Sequence, residues 1–214
     1  EARFEGHRQP RIPLWGYEDE SDPAVMARKI DAAVEHGVNV LIFDWDWYEN
    51  RPFLEEALGK GFLGAANNDR VQFYLMWANH DATTLWDLTR SHKHEVIFPG
   101  AVDRAAFEAA TERVIQRFLG HPSYYRIDGK PVFAIYDTST LVEGLGGIES
   151  AREALDGFRA RAAAAGLGGL HIQGILWGRL PTSLPMTPGD GEPTQAGAVE
   201  ALGYDSLTNY QWCQ

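Results

Sequence analysis

Apolar positions along the chain alternate between helical spacing and short continuous runs of strand length. Met26, Ile30, Ala33 and Val34 recur at helical intervals between Asp22-Pro23 and Gly37. This predicts an amphipathic helix capped by an aspartate, with a proline in its first turn. NVLIFDW (Asn39 to Trp45) follows directly, and its near-continuous apolar character predicts a strand covered on both faces. The unit then repeats. Asp103 opens a second helix carrying Phe107, Ala110, Val114 and Phe118, closed by Gly120 and followed by PVFAIYD (Pro131 to Asp137). Ile148, Leu155, Phe158 and Ala162 mark a third helix ending at Gly166, before LHIQGILW (Leu170 to Trp177). Thr194 to Leu202 predicts a shorter fourth helix, stopped by Gly203 and followed by YDSLTNYQW. VQFYLMW (Val71 to Trp77) predicts a further strand, preceded by a helix that starts at Asn50-Arg51-Pro52 and runs through Leu58.

Strands alternating with helices predict a parallel sheet, and right-handed crossovers then leave a doubly wound sheet or a barrel. Each predicted strand ends in a polar or aromatic cluster (DWDWY, WANHD, IYDTS, LWG, TNYQW), and no first turn carries a phosphate-cradling GxGxxG. Sites ringed around strand C-termini are the barrel arrangement. Some five strands are predicted, against eight in a closed barrel of about 250 residues. The expectation is therefore an α/β fold, a (β/α)8 TIM barrel present as a partial barrel lacking the first strand and the last strands, with residues 1–214 as one incomplete catalytic domain. Long connections at Thr84 to Ala101 and Pro181 to Pro193 are read either as walls of a site or as exposed insertions.

Composition narrows the partners. With 44% hydrophobic and 12% aromatic residues, the 214-residue chain can bury a sizeable core. A net charge of -11 repels phosphate backbones and anionic headgroups, so nucleic acid is not an expected partner. No run approaches the roughly 18 apolar residues of a spanning helix, and the N-terminal EARFEGHRQPRIP has no charged-then-apolar leader. Membrane insertion is not expected. The single cysteine, Cys213, cannot form an internal disulfide, which leaves the compartment open.

The candidate chemistry sits at the strand ends. Alternation along a strand gives Asp44 and Asp46 one direction and Phe43, Trp45 and Trp47 the other. Two neighbouring acids facing a barrel mouth would hold a hydroxyl-rich ligand or raise one another's pKa; the plainer alternative is that one caps a helix and the other pairs with Arg51. Trp45, Trp47, Trp77 and Trp177 all fall at strand ends, with Tyr48, Tyr136, Tyr210 and Trp212 nearby. Aromatic planes interleaved with hydroxyl-binding groups suit carbohydrates, so DWDWY reads as one wall of a sugar site. Trp77-Ala78-Asn79-His80-Asp81 offers the same mixture, with His80 available for proton transfer, and Asp137, Asn209 and Tyr210 complete the set of expected contacts. The histidines of Ser91-His92-Lys93-His94-Glu95 lack a third placed ligand for a metal, GxSxG is absent, and Glu55-Glu56 is expected to face solvent. No cofactor is implied.

In this order, HRQPRIPLWGYEDESDPAVM, LIFDWDWY, FYLMWANHD, HPSYYRIDGKPVFAIYD and LGYDSLTNYQW resemble the glycoside hydrolase family 99-like (WbsX-type) proteins over nearly the whole chain. This chain departs from that pattern at Asp46, where an aromatic often stands. The resemblance implies a (β/α)8 barrel acting on glycans, with mannose-type substrates. It also implies an earlier strand rich in tyrosine and tryptophan and a later strand bearing a Glu-x-x-Glu pair, neither of which occurs in these 214 residues. In characterised members one carboxylate of that pair deprotonates the sugar 2-hydroxyl to form an anhydro intermediate, and the other serves as general acid and then base, with retention. This differs from direct carboxylate attack at the anomeric carbon. No catalytic position in this chain follows; the resemblance implies a substrate-contacting part of the cleft. A glycosyltransferase or polysaccharide-assembly protein, and a glycan-binding barrel without catalysis, are the alternatives.

Overall fold

The computed structural model describes residues 5, 6, 8, 11–87, 89–176 and 195–210. Trp177, Trp212, Cys213 and the connection from Pro181 to Pro193 lie outside the described residues.

The first repeat forms as its pattern predicts. Helix α1 (Pro23–Glu35) is capped by Asp22, whose carboxylate accepts from the Ala24 amide at 2.8 Å, and it buries Met26 and Ile30. Such a cap stabilises a helix by about 1 kcal/mol. Gly37, at a φ of +83°, turns the chain into strand β1 (Val40–Tyr48). Here the structure corrects the expected helix at Asn50-Arg51-Pro52. Glu49 and Asn50 both take positive φ, forming the two-residue turn that matches strand twist, and strand β2 (Arg51–Phe53) returns antiparallel to β1. Only at Ala57–Phe62 does the chain coil, as a wide π-helical turn.

Strand β3 (Gln72–Trp77) is followed by a small hairpin of β4 (Ala82–Thr83) and β5 (Val96–Phe98). Helix α2 (Arg104–Val114) is capped by Asp103 and runs on into a π-helical turn at Ile115–Leu119. A third hairpin, β6 (Arg126–Ile127) with β7 (Lys130–Ile135), turns through Asp128 and Gly129, both at positive φ. Helix α3 (Thr138–Leu145) is an addition to the expected elements: Asp137, read as part of a strand-end cluster, is its N-cap. Then come α4 (Ile148–Ala164), β8 (His171–Leu176), α5 (Gln195–Leu202) and β9 (Ser206–Asn209).

The parallel strands pair in the order β1-β3-β7-β8-β9, which is chain order. A doubly wound sheet reverses its order at a switch point. A monotone order with right-handed crossovers instead places every covering helix on one face. The ring contacts agree: Phe43 and Phe73 meet Phe62 of the π turn, Trp77 meets Phe107 of α2, and Phe133 meets Phe158 of α4.

The opposite face is concave. Tyr74 of β3 donates to Gln173 of β8 at 3.2 Å across the intervening β7, where the register puts Ala134 between Met76 and Gln173. A small residue at that point lets side chains two strands apart touch. The fold is thus α/β with a parallel sheet curved as part of a barrel and not closed among the described residues.

Two side-chain clamps extend the short β3/β7 pairing. At its lower end the buried Tyr124 hydroxyl accepts from the Leu75 amide at 3.2 Å and donates to the Val132 carbonyl at 2.8 Å. At its upper end Asn79, 2% exposed, accepts from the Asp137 amide at 2.8 Å and donates to the Asp137 carbonyl at 2.7 Å.

Candidate glycan-binding cleft

Alternation along β1 splits the DWDWY segment between the two faces of the sheet. Trp45 and Trp47 go to the helix side, 2% and 5% exposed, stacked on one another with ring centroids 5.6 Å apart. Trp77, in register with Trp45, is fully buried between Trp45 and Phe107. The expectation that these three indoles wall a sugar site is therefore corrected: they are core, because odd-numbered residues of β1 and β3 face the helices. Trp45 Nε1 donates to Glu55 at 3.0 Å, and Glu55 in turn accepts from Arg113 at 2.9 and 2.5 Å. Glu55 does not face solvent as expected. Burial alone would raise its pKa, but hydrogen bonds from Arg113 and Trp45 outweigh burial and hold it below the usual value. A cavity of about 340 Å³ beside it, lined by Arg113 and Arg117, thus has its acid and arginine committed to each other.

The acids go to the concave face. Asp44 lines a cavity of about 250 Å³ together with Ile42 of the same strand, Tyr74 and Met76 of β3, and Ile175 of β8. Thr208 and Asn209 of β9, with Tyr210 just beyond it, close the cavity. β1 and β9 lie far apart in the sheet order, so only the curvature brings Asp44 and Tyr210 to one cavity. Tyr210 meets Tyr136 at 5.0 Å between ring centroids, and Tyr136 meets His80 at 5.6 Å, both edge to face.

Tyr48, the last residue of β1, ties the acids to the β3 end. Its hydroxyl donates to the His80 carbonyl at 2.9 Å and lies 3.5 Å from Asp46. Burial first, and then Asp46, push its pKa up to about 12, so it remains a donor. Asp44 and Asp46 are both raised above the ordinary aspartate value. Burial is the main cause for each; the nearby His80 opposes it, and Asp44 adds to the rise of Asp46. Tyr136 is likewise raised by burial, with Tyr210, Asp137 and Asp44 contributing.

The structure therefore gathers Asp44, Asp46, Tyr48, His80, Tyr136, Asn209 and Tyr210 at the C-terminal end of the concave face. Three other expected contacts have local work instead. Asn79 spends its amide on the Asp137 backbone. Asp137 caps α3 by accepting from Thr140 at 2.9 Å. Asp81 accepts from the Gly100 amide at 2.8 Å, fastening the β4–β5 hairpin, whose Phe98 stacks on Tyr48 at 5.8 Å. Trp177 lies outside the described residues.

Ile42, Tyr74, Met76, Ile175 and Thr208 were not expected in the site. Period-two counting from Asp44, carried across the parallel register pairs Ile42 with Tyr74 and Asp44 with Met76, is the signal that finds four of the cavity's residues.

Such a cavity, with one acid, two phenols and an amide around the apolar side chains of Ile42, Met76 and Ile175, has the mixture that hydroxyl-rich ligands need. Comparison with known proteins gives the chain its relatives. Over 94% of its length it superimposes on half (50%) of the GH99 endo-alpha-mannosidase from Bacteroides thetaiotaomicron, solved with Bis-Tris-propane, at a TM-score of 0.55 and 14% identity. At that identity the likeness is one of fold, the (β/α) barrel. Two curated relatives, both named uncharacterized protein WxcX, from Xanthomonas campestris pv. campestris strains B100 and ATCC 33913, are 30% identical over 145 residues, or 66% of this chain. The chain spans 20% of their length. The family model described as Glycosyltransferase WbsX matches residues 1–184. On that match, which takes in most of its length, the chain belongs to the WbsX family, whose fold is that of the family 99 glycoside hydrolases.

Proposed function

We propose that this chain supplies the sugar-contacting part of the cleft of a retaining glycoside hydrolase acting on a mannose-type glycan or polysaccharide. One observation carries the reading: Asp44 from β1 and Tyr210 beyond β9 meet at a single cavity at the C-terminal end of a barrel-type sheet, the end at which such barrels hold their active sites. In this reading Asp44 accepts hydrogen bonds from sugar hydroxyls. Tyr136 and Tyr210 offer their ring faces to sugar C–H groups, and His80 serves as a hydroxyl or proton partner. The carboxylates that perform the cleavage in family 99 enzymes are not among these residues.

Incubating the full-length protein with mannan and with unrelated polysaccharides, and following reducing ends and the anomer first released by NMR, tests this. Cleavage of the mannan with retention is expected. The family's description favours a second reading, a glycosyltransferase; consumption of a nucleotide-sugar donor without glycan cleavage would establish it. Glycan binding with no product from either assay would leave a binding module.

A further inference from the structure

Opposite Asp46, across the β1–β2 hairpin, stands Phe53. Directly opposed residues of an antiparallel pair share a face, so Phe53 belongs with Asp46 and Tyr48 to the concave side. Its strand neighbour Pro52, and Leu54 beyond it, line the helix-side cavity instead. The Phe53 ring stands edge to face with Tyr48 at 6.0 Å, and Tyr48 is in turn stacked against Phe98. Despite this support Phe53 is 47% exposed. A well-held ring left nearly half open beside a half-buried carboxylate is the pairing that stacks a sugar and binds its hydroxyls. Asp46 lies about 7 Å along the strand from Asp44, two residues at strand rise, comparable to the length of one hexose.

We propose that Phe53 is the stacking platform of a second sugar subsite, with Asp46 as its hydrogen-bonding partner. A bound glycan then runs along β1 from the Asp44 cavity toward the β1–β2 turn. The inference rests on the glycan reading above and adds to it the direction of the chain, a minimum ligand longer than one sugar, and a specificity-determining aromatic. It also gives the second acid of DWDWY a partner distinct from the first.

The test is calorimetric titration of the full-length protein, wild type, Phe53→Ala and Phe53→Trp, with methyl mannoside and with a linear mannose tetrasaccharide. Thermal melts check the fold. Phe53→Ala is expected to weaken the tetrasaccharide about 3- to 10-fold more than the monosaccharide, and Phe53→Trp to keep the wild-type preference. Asp46→Asn should also weaken the longer ligand selectively. Equal losses on both ligands, or none, would overturn the subsite while leaving the glycan reading intact. If the wild type binds neither sugar, the mannose reading falls, and the subsite with it.

Discussion

In the proposed glycan reading, Asp44 is the residue whose charge matters most for the ligand. Asp44 is exposed at the concave face, and its pKa is raised chiefly by partial desolvation, so it ionises above the ordinary aspartate value of 3.8. If its ionised form accepts sugar hydroxyls, glycan affinity rises with pH through that elevated pKa. Asp44→Asn is expected to weaken methyl mannoside binding roughly 10- to 100-fold, the loss of a charge-assisted hydrogen bond, and to flatten the acidic limb for that ligand; titrations between pH 3.5 and about 7 read both. Glu55 behaves oppositely. Its folded pKa lies below the usual 4.5, so the folded chain binds fewer protons than the unfolded one. Its stabilisation is fully present above the unfolded value and is lost as pH falls through the lowered folded value. Glu55→Ala strips partners from both Trp45 and Arg113 and should cost about 2 kcal/mol, discounted because Arg113 is partly exposed. Denaturant unfolding at neutral and acid pH should show the gap between variant and wild type narrowing on acidification.

Among the elements, the turns and clamps set the site. Gly100 packs so closely that a Cβ there would meet the His80 carbonyl carbon at 2.4 Å. Gly100→Ala should therefore push His80 away from Tyr136 and lower glycan affinity more than stability; an unchanged affinity would separate His80 from the ligand. Asn79→Ala releases the Asp137 backbone at the top of β7 and should cost about 2 kcal/mol, measured by melting. These elements also show what the sequence could and could not tell. Helices α1 and α2 were legible because caps, glycine stops and apolar spacing all agreed, and α4 because its apolar spacing and glycine stop did. The β1–β2 hairpin was not, since Asn50-Arg51-Pro52 imitates a helix start, and only the positive φ of Glu49 and Asn50 reveals a turn. Asp137 was legible as a strand-end acid and not as a cap, because the short α3 has few periodic positions.

For the whole molecule, the sheet divides its labour between faces. The concave face collects Asp44, Tyr74 and Tyr210, and the helix-facing side collects Trp45, Trp47 and Trp77. Composition and strand-end placement made the indoles look like ligand contacts. Their depth depends on which face the helices cover, and that is settled by the strand order, a property no single segment carries. Trp77→Phe, at a site with no exposed surface, should cost about 1–2 kcal/mol and leave glycan affinity per folded molecule unchanged; loss of affinity with the fold intact would return the indoles to the cleft. The most direct measurement of all is a crystal structure of the full-length protein with the mannose tetrasaccharide bound. Sugar density in the cavity bounded by Asp44, Tyr74 and Tyr210 is the predicted result, and density only elsewhere, such as against Arg113 and Arg117 on the helix side, would contradict it.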